Sequence, residues 1–379
     1  MTVHAHVLVI GLGGMGSAAA YHLAKRGKRV IGLEQFTPAH DRGSSHGQSR
    51  IIRQAYFEDP AYVPLVLRSY ELWEQLERDS GDSLLTITGG LMLGTPDSEV
   101  VAGSLASARQ YDLPHAVFNA REVQRRFPPF TPDENTVGVY EHKAGFLRVE
   151  AAVRAHLAVA ERYGAELHFA EPVQRWEAFG DHVVVTTNAD QYEADQIVMT
   201  PGPWAPNLLA DLKLPLQVER QVQFWFEPHT DIAAFRSDRF PIFLWETEDD
   251  VTFYGFPTLN ESDREVKCAI HHGGESCDPH TIRRDVTEDD VERIRRVLDR
   301  HIPTLNGTYR DAATCMYTNT PDEHFVIAAH PDHANVTIAA GFSGHGFKFA
   351  SVVGEILADL TIDGTTPHPI DLFTPRRFG

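Results

Sequence analysis

The stretch Val7-Leu8-Val9-Ile10-Gly11-Leu12-Gly13-Gly14-Met15-Gly16 constrains this chain more than any other. Four apolar residues run into a glycine-rich turn, and Ser17-Ala18-Ala19-Ala20 then open a helix that Gly27 closes. In such a strand, turn and helix, Gly11 permits the tight turn and Gly13 lets a pyrophosphate approach the backbone. Gly16 lets the helix pack closely on the strand, with the anion at the helix N-terminus. Gly14 and Met15 complete the turn. A second strand, Arg29-Val30-Ile31-Gly32-Leu33, ends in Glu34, near the distance at which an acid takes the ribose hydroxyls of an adenosine. The glycine spacing alone is a weak signal. With both strands, the helix and the terminal acid in place, it points to a dinucleotide without saying which one.

Length and charge set the wider frame. A chain of 379 residues can bury a large core and predicts two domains. Its 34 Lys and Arg against 53 Asp and Glu give a net charge of −19, a field that repels nucleic acid and anionic membranes. The three cysteines, Cys268, Cys277 and Cys315, form no C-x-x-C pair, so neither a disulfide framework nor a zinc site is expected. No run approaches the roughly 18 apolar residues of a membrane span. Met1 leads almost directly into the first strand, with no room for a secretory signal. The expectation is a soluble, cytoplasmic protein that holds no metal.

After Glu34, residues 36–48 form a long polar loop that leads into Arg50 and Arg53. A helix beginning there would put both arginines on one face; a solvated pair is the plain alternative. Helical spacing recurs over 62–78, 98–110, 121–126 and 150–163. Residues 84–87 and 91–93 read as two short strands about the Gly89-Gly90 turn. Strands follow at 167–169, 183–185 and 197–199, the last ending in Thr200-Pro201-Gly202-Pro203-Trp204. Strand signals over 221–226, 253–256 and 266–272 predict an antiparallel sheet. Trp245 and Phe253 are either pocket wall or core. Thr287-Glu288-Asp289-Asp290 caps a helix. Near the end, Val336-Thr337-Ile338-Ala339-Ala340 runs into a second glycine turn, Gly341 to Lys348, and a helix over 350–360. A strand, glycine turn and helix thus recur at the opposite end of the chain. The expected fold is α/β: a Rossmann-type domain assembled from 1–83, 146–215 and 322–379, and a second domain, 84–145 and 216–321, on a mostly antiparallel sheet.

Four blocks stand in order along the chain. They are Gly11 to Gly16; Ser44-Ser45-His46-Gly47-Gln48-Ser49-Arg50-Ile51-Ile52-Arg53; Cys315-Met316-Tyr317-Thr318 with Pro321-Asp322-Glu323-His324-Phe325; and Gly341-Phe342-Ser343-Gly344-His345-Gly346-Phe347-Lys348. On these blocks the chain resembles the monomeric sarcosine oxidase and N-methyl-tryptophan oxidase group of the D-amino-acid-oxidase-like flavoproteins, over nearly its whole length. The resemblance implies an FAD-binding domain, with FAD attached by a thioether from Cys315 to the flavin 8α carbon. Gly11, Gly13, Gly14, Met15, Gly16, Glu34, Ser45, His46, Ser49, Gly346 and Lys348 complete the implied cofactor set. Arg50 would lie close to the flavin ring, and Arg53 with Lys348 would hold a substrate carboxylate. Lys267 would stand over the flavin where oxygen is reduced, with Tyr254, His271, Tyr317 and the Gly344 backbone around the pocket.

Elementary chemistry agrees with those roles. A carboxylate in a closed pocket must be paired, and an arginine fork with a lysine supplies directional hydrogen bonds and charge. Oxygen reduction passes through an anion that a fixed cation stabilises. A flavin accepts hydride at N5, which leaves positioning and charge placement to the protein. The implied activity is oxidation of an N-methyl amino acid to an imine that water hydrolyses to release formaldehyde. Oxygen would be reduced to hydrogen peroxide, in a monomer whose partners are the small amine acid and oxygen. One departure stands out. Ser45 and Gln48 replace a histidine and an aspartate of the group's usual Ser-His-His-Gly-Asp-Thr-Arg loop. A D-amino-acid or glycine-type oxidase, or a dehydrogenase of the same fold, is the alternative within this chemistry. A non-catalytic dinucleotide sensor is the alternative outside it.

Overall fold

The computed structural model describes residues 3–379. Val3–Ile10 pairs in parallel with Val30–Leu33 on one side and Gln191–Met199 on the other. Glu166–His168 extends the parallel run beyond Val30–Leu33, and Val336–Ala340 extends it beyond Gln191–Met199. The halves of these strands nearest the crevice, Val7 to Ile10, Val30 to Leu33, Ile197 to Met199 and Val336 to Ala340, are apolar and buried because both faces are covered. The helix Gly14–Lys25 follows the first strand at once. Its buried small residues, Gly16 to Ala20, let it pack against Val149–Arg162 and Ala350–Asp363. Two antiparallel strands, Val173–Ala178 and Val183–Thr187, widen the sheet from the N-terminal half of Gln191–Met199, and Val326–Ala329 pairs with Val336–Ala340. The turns that follow Ile10, Met199 and Ala340 gather at one crevice beyond the carboxyl ends of the parallel strands, where open α/β sheets bind ligands.

The second large sheet has nine strands and is antiparallel except where Ile242–Glu246 meets Gly90–Gly94. Gln217–Glu227 lies between Val266–Ile270 and the long strand Thr308–Asn319. One face covers an aromatic core in which Phe130 stacks on Phe240 and Trp245 stacks on Phe253. Trp245 and Phe253 are therefore core.

One local expectation needs correction. Arg50 lies on a strand, Ser49–Ile52, because Ile51 and its neighbours pair with Gly145–Arg148 in a three-stranded sheet; Arg53 follows directly after it. The two short strands expected about Gly89-Gly90 are present as Leu85–Ile87 and Gly90–Gly94, in different sheets. The first is a partly exposed edge of the small sheet, whereas the second is fully buried inside the nine-stranded one. The Thr287 capping box is present, with Thr287 Oγ1 accepting from Asp290 N and Asp290 Oδ2 accepting from Thr287 N.

His22 and His156 are buried where the helices Gly14–Lys25 and Val149–Arg162 meet. Burial pushes His22 down to about 4 and His156 well below its ordinary value; His156 Nε2 has no hydrogen-bond partner. The unfolded chain therefore binds more protons than the folded one between about pH 6.5 and 4, and stability falls as pH drops through that window. For His22 alone the full shift is worth roughly 3 kcal/mol. Urea midpoints measured at pH 7.5, 6 and 5 should fall steadily, and His156→Leu should flatten the slope. An unchanged slope in that variant would show that His156 is not charging on unfolding.

Candidate active site

The crevice is a cleft of about 400 Å³ whose lining passes from Glu34 through Gly11, Gly13, Gly14 and Met15 to Ser45, Arg50, Tyr317, Gly344 and Gly346. Gly16 has no room for a side chain, since a Cβ there would fall 1.8 Å from Gly11 O. Gly13, by contrast, faces open space, its would-be Cβ meeting nothing nearer than Ser45 Oγ at 3.7 Å. Gly13, at the cap position of the helix that follows, has no side chain to cap it, and a helix start of this kind suits an anion. Glu34 is already oriented: Oε2 accepts from Leu12 N at 2.9 Å and Oε1 from Phe36 N at 3.0 Å. Ser45 Oγ accepts from Gly14 N at 3.1 Å. In the cleft wall, Trp204 Nε1 is buried without a partner. These features fit a dinucleotide.

A smaller cavity of about 50 Å³ adjoins the cleft, sharing Arg50, Tyr317, Gly344 and Phe347 with it. It brings together Arg53, Tyr254, His271 and Lys348, which the sequence spreads over 296 positions, and adds Ile51, Glu58, Leu244 and His345. Arg53 is fully buried; it donates to Glu58 Oε2 at 2.5 Å and to Ala55 O at 3.1 Å, with its guanidinium 4.2 Å from the Tyr56 ring. Lys348 Nζ donates to His345 O at 2.8 Å and lies 3.4 Å from Tyr56 Oη. Burial, helped by Arg53, lowers the Lys348 amine to about 7. His271 Nδ1 lies 3.2 Å from Tyr317 Oη, and burial holds the ring well below its ordinary value, so it is neutral. Sequence reasoning misses Glu58 and the hydrogen-bond role of His345. Glu58 stands in Glu-Asp-Pro, which reads as a surface turn, and only the need of a buried arginine for a counter-charge could have singled it out.

Five expected site residues border neither cavity: Gly16, packed under the first turn, and Cys315, Lys267, His46 and Ser49, which lie behind the wall near Arg50. Arg50 links them to it: Nη2 lies 3.5 Å from Cys315 Sγ and donates to Ser44 O, while Nη1 donates to Ser49 O. Burial alone would raise the Cys315 thiol, but the His46 ring, Arg50 and Lys267 draw it down to about 6. Burial pushes the thiols of Cys268 and Cys277 up instead. Only Cys315, then, is set to be a thiolate nucleophile near neutral pH. His46 Nε2 is buried without a hydrogen bond. The Lys267 ammonium donates to Gly47 O at 2.6 Å and Ser49 O at 2.8 Å and sits 4.9 Å from the Phe256 ring centre. Burial and the nearby Arg50 press its pKa well down.

Away from the cleft, Asp211, His330 and His333 lie within metal-ligand distance of one another. Asp332 N donates to His330 Nδ1, so Nε2 carries the proton and donates to Asp211 at 2.8 Å. The pair is satisfied as it stands.

A family model described as FAD dependent oxidoreductase matches residues 6–360. The chain belongs to this FAD dependent oxidoreductase family. Within the family it is 57% identical over 372 residues to the monomeric sarcosine oxidase of Streptomyces avermitilis, covering 98% of this chain and 97% of that one. It is 35% identical over 375 residues to the N-methyl-L-tryptophan oxidase of Yersinia pestis (strain Pestoides F), covering 98% and 99%. The solved structure of NikD, an unusual amino acid oxidase essential for nikkomycin biosynthesis, shares the fold with a TM-score of 0.87 at 24% identity, covering 99% of this chain and 98% of that one. No helix among the described residues is long and apolar enough to cross a membrane.

Proposed function

We propose that this chain oxidises the amine of a small N-methyl amino acid of the sarcosine type, with oxygen as the final electron acceptor. The observation that carries the proposal is the pairing of Arg53 with Lys348 in a 50 Å³ cavity that opens onto the dinucleotide cleft. Two cations from opposite ends of the chain suit a carboxylate, which needs full pairing once it is out of water. Ile51, Leu244 and Tyr254 form the remaining wall, against which the rest of a small amino acid would lie. The high identity to proteins named monomeric sarcosine oxidase supports the same substrate class and a monomer. FAD, when bound, supplies the two-electron acceptor. Arg53 and Lys348 would hold the carboxylate, and Tyr254, His271, Tyr317 and the Gly344 backbone would orient the amine. Neutral His271 suits a substrate that must lose its ammonium proton before oxidation. Water would hydrolyse the imine and release formaldehyde, and oxygen would leave as hydrogen peroxide in the cytoplasm. In this reading 1–83, 146–215 and 322–379 form the FAD-binding domain, and 84–145 with 216–321 the substrate domain.

FAD would be bound covalently through Cys315, whose lowered pKa supports forming the thioether as a thiolate. The S–C bond would replace an 8α C–H bond, the proton leaving to solvent and the electron pair passing through the ring to oxygen, which would become hydrogen peroxide. The test is acid precipitation of the purified protein. The wild-type pellet should stay yellow, and that of Cys315→Ala should be colourless with flavin in the supernatant. A yellow pellet from the variant would move the attachment elsewhere. Turnover of sarcosine with equimolar hydrogen peroxide and formaldehyde tests the reaction itself, and absence of turnover with every N-methyl amino acid would sink it.

A further inference from the structure

The turn at Gly47 and Gln48 stands between the two buried cations and the start of the helix Val149–Arg162. Gly47 and Gln48 have φ of 89° and 70°, consecutive left-handed residues that aim two N–H groups the same way and form a concavity for an anion. The anion is a side chain of this chain. Glu150 Oε1 accepts from Gly47 N at 2.6 Å and from Gln48 N at 3.1 Å, and Oε2 accepts from Gln48 N at 3.1 Å. On the other side of the turn the carbonyls hold the cations. Gly47 O and Ser49 O take Lys267 Nζ, and Ser44 O and Ser49 O take the Arg50 guanidinium that reaches Cys315.

A single peptide unit joins the two sides. The N–H of Gln48 meets Glu150, and the carbonyl of that same peptide, Gly47 O, meets Lys267. A carboxylate on one end of a peptide polarises it toward a cation on the other. Position 47 must be glycine, since a Cβ there would fall 1.9 Å from Gln223 Oε1, and Trp225 Nε1 donates to Gln48 Oε1.

We propose that Glu150 is a positioning residue which, by clamping these two N–H groups, fixes where Lys267 and Arg50 stand and so supports the oxygen step without touching substrate or cofactor. This rests on the oxygen role proposed for Lys267.

The test compares Glu150→Ala, Glu150→Gln and Lys267→Met holoenzymes in separate half-reactions. For Glu150→Ala, reoxidation of the reduced enzyme by oxygen should slow about ten- to hundredfold, the scale of a catalytic group displaced by the order of an ångström. Anaerobic reduction by sarcosine should change by less than about threefold, as for a substitution away from the substrate. The visible spectrum of the oxidised flavin should shift as well. Glu150→Gln keeps an oxygen that can accept both N–H groups, so it should restore the wild-type spectrum and most of the oxygen rate. If Glu150→Ala does not accumulate, Glu150→Asp, which withdraws the carboxylate by one methylene, carries the same expectation. A Glu150→Ala enzyme that is merely less resistant to urea, with an unshifted spectrum and both half-reactions equal to wild type or equally slowed, would reduce Glu150 to a helix-start residue and overturn the proposal. Normal reoxidation in Lys267→Met would sink the role of Lys267 and this proposal together. Slow reoxidation there with normal reoxidation in Glu150→Ala would sink this proposal alone.

Discussion

Arg53→Met should lower kcat/KM for sarcosine by a factor on the order of a hundred to a thousand, because truncating one partner of a desolvated charge pair costs roughly 2–5 kcal/mol. The structure makes the loss larger than absence of one contact. Arg53 already neutralises Glu58 at 2.5 Å, so its removal leaves a buried carboxylate where, in the proposed reading, the substrate's own carboxylate would enter. Two effects are then mixed, and a second substitution separates them. Adding Glu58→Gln to Arg53→Met should recover resistance to urea, since no uncompensated charge remains, but not the preference for sarcosine over dimethylamine, which lacks the carboxylate. Lys348→Met should lose the same preference. Undiminished preference for the acid in either single variant would remove that residue from the carboxylate site.

Lys267→Met should slow oxygen-dependent reoxidation by at least about a hundredfold, the scale of losing one donor that stabilises a developing anion. Anaerobic reduction should continue at a substantial rate, because charge on oxygen develops only in the second half-reaction. The structure sharpens this expectation. Lys267 borders neither cavity, and its ammonium is held by Gly47 O and Ser49 O one layer behind Arg50. Its action on a substrate in the small cavity is therefore indirect. Equal slowing of both half-reactions would contradict the assignment.

Much of the dinucleotide cleft was legible because its physics is local. Gly16 must lack a side chain to approach Gly11, and an acid must follow the second strand, and both requirements leave marks at fixed spacing. The small cavity was legible only through the resemblance. No periodicity connects Arg53, His271 and Lys348, which meet because the sheet places Val336–Ala340 beside Gln191–Met199 and carries its glycine turn inward. Some features left no mark. Ser49–Ile52 is too short to display alternation, and its strand conformation depends on Gly145–Arg148, about a hundred residues away. Thr308–Asn319 is not legible as a strand, since its first half faces solvent and reads as polar loop, and Cys315 to Thr318 stand out only through the resemblance. Glu58 and Glu150 look like surface acids until the groups they neutralise or clamp are in view.

The dependence of the cleft on Val336–Ala340 also sets a schedule for biosynthesis. A nascent chain that has emerged from the ribosome only as far as Asn335 has its glycine fingerprint, its Glu34 and its Arg53, but lacks the strand that completes the parallel sheet and the Lys348 that completes the small cavity. The cleft therefore takes its described shape only after residues 336–348 have emerged and docked.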